Sequence, residues 1–228
     1  MAINKVQTID DRVRVKTVLA SVSDKSGLDL LVQGLLKAIP GVSFLSTGGT
    51  HAAIQKILGA SGSESLRHVS AYTGQPEMQG GLVKTLDYKI YLGLLSETYN
   101  ASHTADCARA GAVPIDMVVA NLYPFEETIA APSATLEDAR GNIDIGGPCM
   151  VRAAAKNFHR VAVLTDPGDY PAVIEELSAD GMTCLSTRFR LAQKAFRLIA
   201  RYDEAIAAYL SGVRWEAARG SYAIVNGG

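Results

Sequence analysis

The sequence predicts an open α/β fold with a mostly parallel sheet, helices on both of its faces and further helices at the C-terminal end. Short apolar strands alternate with segments of helical periodicity along the chain. The run IDMVVA at 115–120 is almost continuously apolar, which is typical of a strand covered by helices on both faces. With 228 residues, 48% hydrophobic and 20% charged, the chain can bury one substantial core. We expect a domain at 14–212, with terminal extensions at 1–13 and 213–228.

Two strand-helix units are predicted near the start of the chain. Residues 14–21 are rich in β-branched side chains and lead into a polar turn at 23–27, after which leucines recur at helical spacing. Residues 42–46 predict the next strand, which leads into the run TGGT at 47–50 and a second helical pattern. The strand-helix unit is therefore predicted twice in this part of the chain.

The remaining elements continue this alternation. Further strands are expected near 66–70, 90–95, 115–120 and 161–164. Thr135 with Asp138 forms a capping-box pattern, and Asp166 before Pro167 indicates another helix start. Residues 186–211 predict one long helix. Its expected apolar stripe consists of Phe189, Ala192, Phe196, Ile199 and Ala200.

Composition excludes several classes of function. The 22 Lys and Arg residues are balanced by 23 Asp and Glu residues, so no broad basic field for nucleic acid is expected. Cys107, Cys149 and Cys184 are too widely spaced to indicate a disulfide framework or a zinc site. The charged start and the lack of an apolar run of about 20 residues argue against secretion and membrane insertion. We expect a cytoplasmic protein without a bound metal.

Two polar loops follow predicted strands and indicate an anion site. Ser23 and Lys25 offer a hydroxyl and an ammonium group, and Gly48 and Gly49 let backbone N–H groups approach an anion at a helix N-terminus. Each loop alone is more often a simple turn or cap. Together they favour a phosphate site, although their spacing fits neither a dinucleotide fingerprint nor a P-loop.

Four further runs carry titratable groups beside small or rigid residues. They are VKTL at 83–86, NLYPF at 121–125, NIDIGG at 142–147 and VRAAAKN at 151–157. Each has an ordinary structural reading. The Tyr-Pro-Phe sequence is commonly a packed turn, and Lys84 would by default be a solvated cation. Asp144 could be a helix cap, and Arg152 and Lys156 would lie on one solvent-exposed face of a helix.

These four runs, together with SVSDK and STGGT, occur in the order found in one family. From about residue 18 to residue 210 the sequence resembles the IMP cyclohydrolase domain of the bifunctional purine biosynthesis enzyme that also formylates aminoimidazole carboxamide ribotide. The resemblance implies a methylglyoxal synthase-like fold. It also implies closure of the formylated ribotide, FAICAR, to inosine monophosphate (IMP) with loss of water, without a metal or an organic cofactor.

The resemblance also implies roles for individual residues. Asp144 would be the base, Lys156 the proton donor to the formyl oxygen, Lys84 a cation that stabilises the oxyanion, and Tyr123 a positioning or relay hydroxyl. Further residues would bind the substrate. They are Ser23, Lys25, Thr47, Gly48, Gly49, Thr50, Thr85, Asn121 and Ile145.

The spacing of two of these residues predicts an assembly. A helix beginning at Gly147 would place Lys156 about 13 Å beyond its start, so Asp144 and Lys156 could share a substrate only through a fold-back or a second subunit. We therefore expect a homodimer with active sites near the interface. Because the formyltransferase half is not part of this sequence, a separate formyltransferase would supply the substrate.

The sequence departs from the family pattern at three positions. Leu82 stands where the family has an arginine beside the substrate, and Asp87-Tyr88 replaces a His-Pro pair. Loss of the planar guanidinium removes contacts that a lysine cannot reproduce. Two other functions remain open: a methylglyoxal synthase-like lyase that uses the same phosphate loops, and a non-catalytic nucleotide-binding regulatory module.

Overall fold

A computed structural model describes residues 5–76 and 84–225 and contains two sheets. The larger sheet is parallel and five-stranded, and the smaller is an antiparallel pair. The strands of the larger sheet are β2 (Thr17–Ser21), β3 (Ser43–Ser46), β4 (Leu66–His68), β5 (Met117–Ala120) and β6 (Ala162–Leu164). The smaller sheet pairs β1 (Arg12–Arg14) with β7 (Met182–Cys184).

Helices connect the strands. In chain order they are α1 (Leu28–Ala38), α2 (Gly48–Leu58), α3 (Val69–Thr73), α4 (Tyr88–Leu95), α5 (Ala101–Ala110), α6 (Phe125–Ala130), α7 (Leu136–Gly141), α8 (Gly146–Lys156), α9 (Tyr170–Asp180), α10 (Leu185–Gly212) and α11 (Trp215–Gly220). Short 3-10 turns at Ala60–Ser65 and Pro167–Asp169 precede β4 and α9.

The order of the large sheet is β4-β3-β2-β5-β6, so the chain builds outward from β2 in one direction and then in the other. β3 pairs with β2 on one side, and β5 pairs with β2 on the other. The loops after β2 and β5 therefore leave the sheet in a region where the direction of winding reverses. In open α/β sheets, ligands bind at this position, outside the carboxyl ends of the strands.

Both faces of the sheet are covered. Successive side chains of a strand point to opposite faces, and all four residues of β5 are buried. One group of packed helices contains α1, α2 and α9, and another contains α4, α8 and α10. The expected open α/β architecture is confirmed.

The strand expected near 90–95 is wrong, because this segment is helix α4. Asp87 caps the helix, since its Oδ1 accepts a hydrogen bond from the Lys89 amide at 2.8 Å. Ile90 and Leu94, four residues apart, are fully buried on one side. A short apolar run without strict alternation does not distinguish a buried strand from a buried helix.

Two other boundaries differ from expectation. Residues 14–21 are not one strand, because the chain leaves the small sheet after β1 and enters the large one at β2. Between β1 and β2, the Val15 amide donates a hydrogen bond to the Gly181 carbonyl at 3.0 Å. This bond holds the segment that connects the two strands against the end of α9. The strand near 66–70 ends at His68, and α3 follows at once.

The long C-terminal helix is confirmed, and its expected apolar stripe is correct in part, because Ala192 and Ile199 are buried. Phe189 and Phe196 are 46% and 41% exposed, and Ala200 is exposed. The buried side of α10 also includes Arg188 and Tyr202. Hydrophobicity alone misses part of this face because Arg188 is fully buried and donates to backbone carbonyls. The acceptors belong to Phe158, Thr183, Asp10 and His159.

Candidate active site

A cavity of about 320 Å³ lies at the carboxyl edge of the sheet. The loops after β2, β3 and β5 line it together with the start of α8. It brings together all but one of the predicted site residues. Those in the cavity are Ser23, Lys25, Thr47, Gly48, Gly49, Thr50, Lys84, Thr85, Asn121, Tyr123, Asp144 and Ile145.

One end of the cavity is suited to an anion. Helix α2 begins at Gly48, whose φ of 45° lies in the left-handed region that favours glycine, and the side chain of its N-cap residue, Thr47, makes no capping hydrogen bond among the described residues. A Cβ atom at Gly48 would lie 2.9 Å from Lys84 Nζ, and one at Gly49 would lie 3.8 Å from Lys25 Nζ. Two ammonium groups therefore flank the positive end of a helix dipole, which is where a phosphate binds well.

The two threonines of this loop connect it to β2. Thr50 Oγ1 accepts from the Val22 amide and donates to the Val22 carbonyl, both at 3.0 Å. Thr47 Oγ1 lies 3.3 Å from Ser21 Oγ. Both threonines are buried. Their hydroxyl groups therefore fix the loop after β2 against the start of α2.

Asn121 joins the loops that follow β2 and β5. Its Oδ1 accepts from the amides of Ser23 at 2.6 Å and Asp24 at 2.9 Å, and its Nδ2 donates to the Asp24 carbonyl at 2.7 Å. The side chain is therefore engaged mainly with the protein. Its predicted contact with a nucleotide would have to use the remaining Nδ2 hydrogen.

Asp144 lines the same cavity and lies just before α8. Its Oδ1 accepts from the Gly147 amide at 2.9 Å, and burial raises the pKa of Asp144 even though backbone hydrogen bonds from Gly147 and Tyr123 lower it. The Asp144 amide donates to Tyr202 Oη at 2.8 Å, and Tyr202 Oη donates to the Asn142 carbonyl at 3.1 Å. A half-buried carboxylate with a raised pKa is suited to accept a proton.

Three predicted residues lie around Asp144. Thr85 is buried, and its Oγ1 lies 3.0 Å from the position that a Cβ of Gly146 would take, so α8 begins close to this hydroxyl. Tyr123 and Ile145 are 47% and 57% exposed. They stand at the mouth of the cavity, where they can contact an entering ligand.

Lys156 is the predicted site residue that the structure does not place in the cavity. It is the exposed last residue of α8, whereas Asp144 lies just before the first. The helix axis separates the two ends by about 15 Å. Near Lys156 is His159, whose pKa is lowered mainly by burial and further by neighbouring positive charges that include Lys156.

Sequence reasoning missed several cavity residues. They are Ser21, Val22, Gly141, Ile143, Gly146 and Gly147. It also missed Tyr202, which lies 58 positions after Asp144 in the chain and for which no local motif gives a signal. Of the departures from the family pattern, Asp87 caps α4, Tyr88 is 65% exposed, and Leu82 lies outside the described residues.

The part of the chain that the structure describes offers neither a metal cluster nor a membrane-spanning helix. Within 5–76 and 84–225, no three His, Cys, Asp or Glu side chains are grouped so that they could share a metal ion. Over the same residues, no helix has both the length and the apolar character needed to cross a bilayer.

Comparison with known proteins identifies the relatives of this chain. Residues 30–149 match the family described as "MGS-like domain", and residues 154–225 match the family described as "AICARFT/IMPCHase bienzyme". The chain is 49% identical over 210 residues to the bifunctional purine biosynthesis protein PurH of Magnetococcus marinus, covering 92% of this chain and 38% of that protein. It is 50% identical to PurH of Chlorobium luteolum, covering 87% of this chain and 37% of that protein.

A solved structure shows the same fold. The crystal structure of ForH superimposes with a TM-score of 0.70 at 35% sequence identity, covering 87% of this chain and 100% of that one. This chain spans less than two fifths of the length of the two PurH relatives. The matches confirm the family resemblance and the methylglyoxal synthase-like fold. The chain therefore belongs to the AICARFT/IMPCHase bienzyme family, and it represents the MGS-like part of these proteins together with the segment that follows it.

Proposed function

We propose that this protein is an IMP cyclohydrolase that closes FAICAR to IMP with loss of water. The observation that carries the proposal is the shared cavity, which is lined both by an anion-binding helix start and by a carboxylate with a raised pKa. A nucleotide presents the matching groups, a phosphate and a reacting base. The names of the relatives, which are purine biosynthesis proteins, support the same reaction.

The reaction requires two groups of one molecule to meet. The carboxamide nitrogen attacks the formyl carbon and loses one proton, which forms a C–N bond and converts the carbonyl into an oxyanion that is protonated to a hydroxyl group. The hydroxyl group takes a second proton and leaves as water, while the nitrogen that carried the formyl group loses its proton and forms a C=N bond to the same carbon. Binding the phosphate between Lys25 and the start of α2 anchors the substrate and lowers the entropic part of the barrier. In this scheme Asp144 accepts the amide proton, Lys84 stabilises the oxyanion, and Tyr123 orients the reacting arm or relays a proton.

We further propose that a second copy of this chain supplies Lys156. Within one chain, α8 is a continuous helix, so its two ends cannot approach each other. The formyl oxygen still needs a proton before it leaves, and an exposed lysine of a partner subunit can give it. The protein is then a homodimer in which each active site takes Asp144 from one chain and Lys156 from the other.

A formyltransferase must supply the substrate, because the reaction starts from a ribotide that is already formylated. The proposal places the reaction in the cytoplasm, where Cys107, Cys149 and Cys184, which are all free thiols, would stay reduced.

The decisive experiment incubates the purified protein with FAICAR and follows IMP formation by absorbance, with binding of IMP measured in parallel by calorimetry. Turnover that is lost in Asp144→Asn, with IMP binding retained, supports the proposal. Binding without turnover in the unmodified protein indicates a regulatory module instead. Release of inorganic phosphate from dihydroxyacetone phosphate, without IMP formation, indicates a lyase.

A further inference from the structure

We infer that Tyr202 is a positioning residue that holds Asp144 in its reactive orientation. The inference rests on the proposed function, because it names a residue that serves the same site. Tyr202 is in the middle of α10, and its hydroxyl reaches the backbone on both sides of Ile143. It accepts from the Asp144 amide and donates to the Asn142 carbonyl, so one hydroxyl group satisfies both a donor and an acceptor of the loop before α8.

The loop that carries Asp144 depends on this contact. Regular secondary structure does not hold the Asp144 amide, since α7 ends at Gly141 and α8 begins at Gly146. The carboxylate accepts from the Gly147 amide, so the side chain and the main chain of Asp144 are fixed by different partners. Together the two contacts define where the carboxylate points.

The ring of Tyr202 is fixed independently of its hydroxyl. It is 8% exposed and packs edge-on against Phe125 of α6, with ring centroids 6.2 Å apart. Tyr209, two helical turns further along α10, packs against the same Phe125 at 5.9 Å. This small apolar cluster joins α6, α7 and α10 beside the cavity. The packing of the ring thus places the hydroxyl group beside the loop before α8.

If Tyr202 positions the Asp144 carboxylate, its hydroxyl group should matter for catalysis and not for substrate binding. The phosphate end of the cavity is built by the loops after β2 and β3, whereas Tyr202 contacts only the loop before α8 among its hydrogen-bond partners in the described chain. Removing the hydroxyl should therefore disturb the carboxylate and leave the anion site intact. Loss of orientation at a reacting group can lower the rate about 10²-fold.

The test compares Tyr202→Phe with the matched control Tyr209→Phe, which also removes a hydroxyl from a ring packed on Phe125. We expect kcat of Tyr202→Phe to fall about 10²-fold while KM and the dissociation constant of IMP stay within about twofold. Hydrogen exchange of the peptide that covers 142–145 should become faster in Tyr202→Phe only. Tyr209→Phe should match the unmodified protein in every measurement.

Each other outcome is decisive. An unchanged kcat, or unchanged exchange at 142–145, overturns the inference. A parallel loss of kcat and IMP affinity together with a lower melting temperature would indicate a general structural role and also overturns it. If the unmodified protein has no turnover, the proposed function fails, and the exchange measurement still decides whether Tyr202 holds the loop.

Discussion

Asp144 combines a chemical role with a cost in stability. Burial raises its folded-state pKa above the unfolded value, so the carboxyl group favours folding when protonated, and this contribution is lost as the pH rises through the folded-state pKa. At neutral pH the ionised group therefore opposes folding. Active sites commonly contain groups with shifted pKa values that lower stability, because the reactivity of a base matters there more than its contribution to folding.

Asp144→Asn should lower turnover at least about 10²-fold, because the amide cannot accept the proton. It should also raise the melting temperature at pH 7, and this gain should vanish below about pH 4, where the aspartate is neutral as well. Differential scanning calorimetry across this range checks the second part.

The control for the pH dependence is Asp138→Asn in the capping box of α7. Hydrogen bonds from Thr135 lower the pKa of Asp138, so this carboxylate stabilises the fold at neutral pH, and the contribution is lost as the pH falls through the folded-state pKa. Asp138→Asn should therefore lower the melting temperature at pH 7. If the melting temperature at pH 7 changed in the same direction in Asp144→Asn and Asp138→Asn, the opposite pKa shifts of the two carboxyl groups would be contradicted.

Gly48 is a second position where one residue determines the site. Gly48→Ala would strain a left-handed backbone position by about 1–2 kcal/mol and place a methyl group against Lys84 Nζ. We expect a loss of IMP affinity, measured by calorimetry. Gly41→Ala is the matched control, because Gly41 also has a positive φ of 78° but no atom of the described residues lies within 4 Å of the added Cβ. Equal affinities in both variants would show that the helix start does not bind the phosphate.

At the scale of elements, a buried ion pair fixes the edge of the sheet opposite the cavity. Arg160, just before β6, pairs with Asp116, just before β5, at 3.1 Å, and both side chains are almost fully buried. Arg160 also donates to the carbonyls of Ser96 and Gly93, which joins the end of α4 to the same edge. One guanidinium group thus connects three elements.

Arg160→Ala should lower the free energy of unfolding by about 3–5 kcal/mol, because it leaves Asp116 charged, buried and without its cation. Arg109→Ala is the control. Its partner Asp106 lies one turn away on α5, and the arginine is 73% exposed, so a loss within about 1 kcal/mol is expected. Urea denaturation measures the free energy of unfolding of both variants. Similar losses in the two variants would contradict the role of the buried pair.

The elements also show what the sequence could and could not predict. The anion site formed by the loops after β2 and β3 could be predicted because two such loops, each with small polar residues directly after a strand, are more informative together than either is alone. The prediction of a strand for α4 is wrong because its apolar run is short. The predicted buried face of α10 is correct for Ala192 and Ile199 and misses Arg188, because hydrophobicity does not indicate a buried arginine. Tyr202 could not be found, since its contact with Asp144 exists only after α10 packs beside the cavity.

At the scale of the whole molecule, the proposed exchange of Lys156 between subunits predicts complementation. Asp144→Asn and Lys156→Ala should each be inactive alone. When the two are unfolded together and refolded, half of the dimers are mixed, and each mixed dimer has one intact site, so about a quarter of normal activity should return. Mixing Asp144→Asn with Lys84→Ala provides a control in which both residues belong to the same cavity.

In that control, a mixed dimer has one defect in each site, and no activity should return. Recovery in the control but not in the test pair would contradict the proposal that Lys156 comes from the partner. Sedimentation velocity on the unmodified protein checks the dimer directly.

The position of helix α8 has a consequence for recombination between relatives. The two family matches meet between residues 149 and 154, inside this helix. A crossover at that junction would join the Asp144 loop of one parent to the α10 of the other. Asp144 and the tyrosine that contacts its loop would then come from different parents. Such exchanges should yield folded but poorly active progeny unless the parent that supplies α10 carries a tyrosine at the position of Tyr202.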